Sequence, residues 1–237
     1  MQLLLLSNST NQGEDYLGWP REILSRFITK NNIKSCLFVP YAGVTSTWDD
    51  YTNRVSDVFS LWGCKIESVH TTTDPVLAVS TAECIVVGGG NTFRLVQMMH
   101  ETGIMAAIRT KSLAGTPFIG WSAGSNVACP TLRTTNDMPI IQPASFSTLN
   151  LIPFQINPHY LDANPDGHGG ETREQRINEF QELNTEVVVV GLREATALHV
   201  DGSKLNLLGN RPMRLFISGK EPVELNPGED ISFLMNG

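Results

Sequence analysis

Short apolar runs recur through the first half of the chain, each followed by a segment whose apolar residues fall at helical spacing. Residues 2–7, 35–39, 84–87 and 118–120 read as strands buried on both faces, and residues 64–69 alternate weakly as another. Between them, Pro20 starts a helix running to about residue 30, with Ile23, Leu24, Phe27 and Ile28 on one stripe. Tyr51, Val55, Val58, Phe59 and Trp62 form a second stripe that stops at Gly63. Asp74-Pro75 opens a short third helix, and residues 93–100 and 103–113 are helical in pattern. Strand and helix in alternation imply βαβ units and a parallel sheet with helices on both faces.

The second half breaks this rhythm. Residues 133–150 are polar and irregular, and residues 151–156 form a strand interrupted at Pro153 and ending at Asn157-Pro158-His159. Residues 161–170 are a loop of Asp, Pro and Gly. Residues 171–183 make an amphipathic helix with Ile177, Phe180 and Leu183 inward, and residues 187–191 another buried strand. From Ala195 onward, the turn signals Asp201-Gly202, Gly209-Asn210, Ser218-Gly219 and Asn226-Pro227-Gly228 separate short strands, as antiparallel hairpins closing the sheet edge would. The expected fold is α/β: a mostly parallel central sheet flanked by helices, antiparallel strands in the C-terminal part, and one domain over residues 1–237.

Composition narrows the partners. The net charge of -7 disfavours nucleic acid and anionic membrane, so an acidic ligand would need a local cationic pocket. The opening run Leu3–Leu6 has no basic segment before it and is too short for a signal peptide, and no stretch is long enough to span a bilayer. Cys36, Cys64, Cys84 and Cys129 are scattered in apolar surroundings, as free thiols of a cytoplasmic protein would be. No metal or cofactor motif is present, and either a monomer or a homodimer is compatible with the sequence.

Chemistry gathers at two strand ends. Gly120-Trp121-Ser122-Ala123-Gly124 follows an apolar strand and reads G-x-S-x-G, the pattern of a nucleophile elbow. There the small residues permit a tight strand-to-helix turn, and Ala123 N–H can face a developing oxyanion. Gly88-Gly89-Gly90, after the 84–87 strand, could bring a second backbone N–H to the site through Gly89 or Gly90. A serine needs a base. Of the histidines, His70, His100 and His199 sit where packing or surface roles suffice; His159 follows a strand end, with His168 in the glycine-rich loop as runner-up or substrate contact. Asp137 and Glu194 both suit the carboxylate that orients the base, and the residues alone do not separate them. Arg173, with Arg133 and Arg176 as alternatives, could pair with an acidic substrate side chain.

The blocks LLLLSNST, FVPYAGVTSTWDDYT, VVGGGNTFRL, IGWSAGSNVACPT, RTTNDMPI, QINPH, GHGGETREQRI and VGL-RE spread from Gln2 to about Glu194. Together they resemble the peptidase E, or α-aspartyl dipeptidase, family. The resemblance implies a fold like that of class I glutamine amidotransferases, with serine in place of cysteine, and metal-free hydrolysis of dipeptides with an N-terminal aspartate. By motif position it implies Ser122 as nucleophile and His159 as base, with the acid at Asp137 or Glu194. The chain departs from the family pattern at Arg193 beside Glu194. Two alternatives carry the same residues: a cyanophycinase-like hydrolase of aspartyl–arginine amides, and a non-catalytic small-molecule sensor on this fold.

Overall fold

The computed structural model describes residues 1–164, 166–167 and 169–236. Five parallel strands form the body of the larger sheet: β1 (Gln2–Leu6), β2 (Ser35–Val39), β3 (Lys65–Ser68), β4 (Ile85–Val87) and β5 (Phe118–Trp121). Their order is β3-β2-β4-β5-β1, so the chain steps outward from β1 and returns to lay β5 beside it. The connections are α1 (Arg21–Lys30), α2 (Trp48–Ser60), α3 (Pro75–Thr81), α4 (Thr92–Glu101) and α5 (Ile104–Leu113). β1 buries Leu3 and Leu5 on one face and Leu4 and Leu6 on the other. That explains why its sequence is continuously apolar: helices cover both faces.

The C-terminal half differs from expectation in several respects. Its antiparallel strands do not all close one sheet edge. β8 (Thr196–Asp201) pairs antiparallel with β1, and β9 (Lys204–Gly209) extends that edge. β6 (Gln155–Tyr160), β7 (Val189–Arg193), β10 (Met213–Phe216) and β11 (Val223–Leu225) instead form a second sheet of order β11-β10-β7-β6. The helix α7 (Arg173–Glu182) is shorter than expected at its start, because Thr172 and Gln175 make a reciprocal capping box there. Leu183, expected inward, is 90% exposed just past the helix end; Ile177 carries the packing.

Two joints matter for the site. The α6 helix (Ala123–Asn126) is a single turn directly after β5, so the elbow serine lies between strand and helix. β6 runs through His159 instead of ending before it, with an irregularity between Pro158 and Tyr160 in its parallel pairing with β7. The four cysteines are free and buried, and no helix among the described residues is long and apolar enough to cross a membrane.

Candidate active site

The elbow follows from its glycines. A Cβ on Gly120 would lie 2.4 Å from the Gly124 carbonyl oxygen, and one on Gly124 would lie 2.1 Å from that of Val87. Only glycine at both positions lets the turn close this tightly. Ser122 pays for the turn with φ 53° and ψ -114°, a strained conformation of the kind found at functional sites. Its N–H donates to the Leu6 carbonyl at 3.1 Å, and Ser125 Oγ donates to Leu6 and Gly120 carbonyls, so β1 braces the elbow from behind.

His159 also has positive φ, 52°, at the irregularity in β6. Its Nε2 lies 2.9 Å from Ser122 Oγ, and its Nδ1 lies 2.7 Å from Glu194 Oε1. Glu194 follows the last residue of β7, and the parallel register of β6 with β7 sets Tyr160 opposite Arg193, bringing Glu194 alongside the imidazole. Ser122, His159 and Glu194 thus form one hydrogen-bonded chain drawn from three strand ends. With the carboxylate on Nδ1, the tautomer that leaves Nε2 able to accept the serine proton is the favoured one.

Asp137 lies outside this chain. Its Oδ2 accepts from the Thr92 N–H at 2.7 Å, from Thr92 Oγ1 at 2.6 Å and from Thr135 Oγ1 at 3.0 Å. Thr92 is the first residue of α4, so Asp137 fastens the 133–139 segment to a helix N-terminus, where negative charge is favoured.

Gly89 packs against the serine: a Cβ there would meet Ser122 Cβ at 3.0 Å. Gly90 has φ 134° and its Cβ position lies 2.2 Å from the Ala42 carbonyl oxygen, which restricts this position to glycine. Among the described residues the N–H groups of Gly89, Gly90 and Ala123 have no acceptor, so they remain available to an oxyanion. The Gly89 carbonyl accepts from Tyr51 Oη at 3.1 Å, and Trp121 Nε1 donates to the same Tyr51 oxygen at 3.0 Å. The glycine turn and the elbow are therefore held by one buried tyrosine. Their cavity, about 600 Å³, is walled by Gly89, Gly90, Trp121, Ser122, His159 and the 42–46 loop.

Arg133, Arg173 and Arg176 come together, but in a second cavity of about 180 Å³ that they share with Asp137 and Asn157. Arg133 donates to Asn184 Oδ1 at 2.7 Å and stacks over Phe180; Arg176 approaches Glu171 at 3.7 Å. Arg173 has no ion pair among the described residues, and burial together with neighbouring Arg176 pushes its guanidinium below the usual range. His168 lies outside the described residues.

Sequence reasoning missed the braces under the triad. Ser7 and Asn8 are fully buried at the end of β1. Ser7 Oγ donates to the Leu192 carbonyl at 2.7 Å and accepts from His159 N–H at 3.0 Å, tying His159 to β7. Asn8 Oδ1 accepts from Ala195 N–H at 2.9 Å, holding the positive-φ residue after Glu194. The available signal was a polar Ser-Asn pair directly abutting an apolar strand. Also missed was Arg54, the arginine that lines the serine's cavity.

A strained serine at a strand–helix elbow, linked through histidine to a glutamate above a mostly parallel sheet, is the arrangement of a serine hydrolase. The family model for peptidase family S51 matches residues 3–208, and the chain belongs to that family of serine-type peptidases. A peptidase E from a Nostoc species is 49% identical over 234 residues, covering 99% of this chain and 96% of that protein. A peptidase E from Salmonella newport is 44% identical over 228 residues, covering 96% and 99%. Among solved structures, a peptidase from an acI-B1 actinobacterium is similar in fold, with a TM-score of 0.68 at 19% identity over 98% of this chain and 96% of that one. A putative peptidase E from Listeria monocytogenes gives a TM-score of 0.63 at 22% identity over 88% and 98%.

Proposed function

We propose that this protein is a dipeptidase that hydrolyses Asp-X dipeptides through an aspartyl-enzyme intermediate. The observation that carries the reading is the hydrogen-bonded chain Ser122–His159–Glu194 opening on a cavity of about 600 Å³, in a chain similar to peptidase E over nearly its full length. Ser122 Oγ attacks the aspartyl carbonyl carbon as His159 Nε2 takes its proton. Glu194 holds Nδ1–H and stabilises the imidazolium. The carbonyl oxygen, now an oxyanion, is received by Ala123 N–H and by an N–H of Gly89 or Gly90. The C–N bond breaks, Nε2 returns the proton to the leaving amine, and water activated by the same imidazole then hydrolyses the aspartyl ester.

The acidic side chain is assigned to Arg173, whose neighbouring cavity is lined by Asn157, two residues before His159 on β6. Arg133 and Arg176 already have polar partners, whereas a carboxylate beside Arg173 would offset the burial and the repulsion that disfavour its charge. Replacing Asp by Asn would leave that guanidinium without a charge partner, so discrimination between them is steep.

The test is hydrolysis of Asp-Leu, Asn-Leu and Glu-Leu, with Ser122→Ala alongside. The expected result is cleavage of Asp-Leu far above the other two and a loss of at least about 10⁴-fold in the variant. Absence of Asp-Leu cleavage, with turnover of an aspartyl–arginine polymer, would replace this reading by the cyanophycinase-like one. A ligand response that survives Ser122→Ala in the absence of turnover would favour the sensor.

A further inference from the structure

The serine's cavity holds one arginine and no acidic residue among its described lining. That arginine is Arg54, on the solvent side of α2, and sequence pattern gives it no distinction from any polar helix-face residue. What singles it out is how α2 is anchored. Tyr51, three residues earlier and therefore on the adjoining turn, is buried and bonded to both the Gly89 carbonyl and the Trp121 indole. That anchor fixes the helix against the elbow and the glycine turn, and it leaves Arg54 at the cavity rim. Tyr16, which also lines the cavity, lies beneath the guanidinium, whose central carbon is 5.6 Å from the ring centroid. Neither acidic neighbour on its own helix takes it: Asp50 accepts from Thr47 Oγ1, and Asp57 makes no ion pair with it. A guanidinium held by an aromatic face, with its charge-assisted donors unspent among the described residues, is suited to receive a carboxylate bidentately. In a chain of net charge -7 it also gives an anionic substrate a local attractive point at the mouth.

We infer that Arg54 binds a carboxylate of the substrate in the triad cavity. The inference rests on the Asp-X reading, because such a dipeptide carries two carboxylates, one on the aspartyl side chain and one at the C-terminus. The chemistry at Arg54 is the same for either, and the experiment separates them.

The experiment compares Asp-Leu, Asp-Leu amide and Asn-Leu in the unmutated enzyme, Arg54→Gln and Arg54→Lys. The expected result for Arg54→Gln on Asp-Leu is a rise in KM of about tenfold with kcat held within about threefold, and partial recovery in Arg54→Lys, which keeps the charge but not the fork. If the rise vanishes on Asp-Leu amide, Arg54 reads the C-terminal carboxylate and Arg173 keeps the side chain; if instead Asn-Leu ceases to be disfavoured, Arg54 reads the side chain in place of Arg173. A KM change equal on all three substrates, or no change, overturns the inference. So does a matching fall in fluorophosphonate labelling of Ser122 in Arg54→Gln, which would mean that Arg54 acts by supporting the elbow. Failure of the unmutated enzyme to cleave Asp-Leu is a different result: it would remove the Asp-X reading itself, and with it this inference.

Discussion

Glu194 and Asp137 are the two carboxylates whose sequence context suits a partner for His159, and their surroundings differ sharply. Glu194 follows β7, and the parallel pairing of β7 with β6 delivers it to the imidazole at 2.7 Å. It remains 43% exposed by its side chain, with one oxygen committed. Asp137 spends its Oδ2 on three donors at the start of α4. The difference teaches that a carboxylate close to the elbow serine in sequence is not thereby close to the histidine that meets it. A helix N-terminus competes for it, through both its unpaired N–H groups and its positive potential.

The strongest way to break this comparison is Glu194→Gln, which keeps the shape and removes the charge beside His159 Nδ1. A loss of roughly 10³–10⁴-fold in kcat on Asp-Leu is expected, by analogy with triad acids elsewhere. Next in size, Arg173→Gln should cut the preference for Asp-Leu over Asn-Leu by about 10²-fold, seen as the ratio of kcat/KM values. Asp137→Asn should move kcat by only a few-fold while lowering Tm by about 2 °C, since the lost helix-terminus charge is worth on the order of 0.5–1 kcal/mol. An equal loss of activity in the two carboxylate variants would erase the distinction drawn here.

The last expected effect is on stability and not on activity, and concerns a neighbour of Glu194. Buried Arg193 pairs bidentately with Asp162, three residues past His159, and with Glu224 on β11, and it donates to the Pro212 carbonyl. These contacts hold both carboxyls below the ordinary carboxylate range, Arg193 being the first cause in each. A lowered folded-state pKa contributes stability above the unfolded value that fades as pH falls through the folded one. Arg193→Met should therefore be destabilised at pH 7, with its Tm deficit narrowing below about pH 4, where the unfolded carboxyls take up protons. A Tm deficit constant from pH 7 to pH 3 would mean that the pairs add nothing beyond packing.

The alternation of strands and helices was legible because burial on both sheet faces gives β1, β2, β4 and β5 unbroken apolar runs, while the edge strand β3 shows the alternation of a half-buried strand. The elbow was legible because backbone closure at Gly120 and Gly124 tolerates no side chain. His159 stood out at a strand end, although β6 continues through it with an irregularity that no residue pattern announces. Which carboxylate meets it depends on the β6–β7 register, and residue types alone do not specify register between distant strands. The split of the C-terminal strands into two sheets was hidden for the same reason: alternation marks a strand but not the edge it joins. Leu183 misled because helical spacing was extended past the point where the chain leaves α7.

The central claim is that Glu194, through His159, activates Ser122, and that Asp137 does not. The most direct measurement is the rate of covalent labelling by a fluorophosphonate, with the modified residue located by peptide mass mapping, in the unmutated protein, Glu194→Gln and Asp137→Asn. The expected result is stoichiometric labelling at Ser122, slowed at least about 10²-fold in Glu194→Gln and nearly unchanged in Asp137→Asn. Labelling at another residue, or a rate that collapses in Asp137→Asn and survives in Glu194→Gln, would contradict the account.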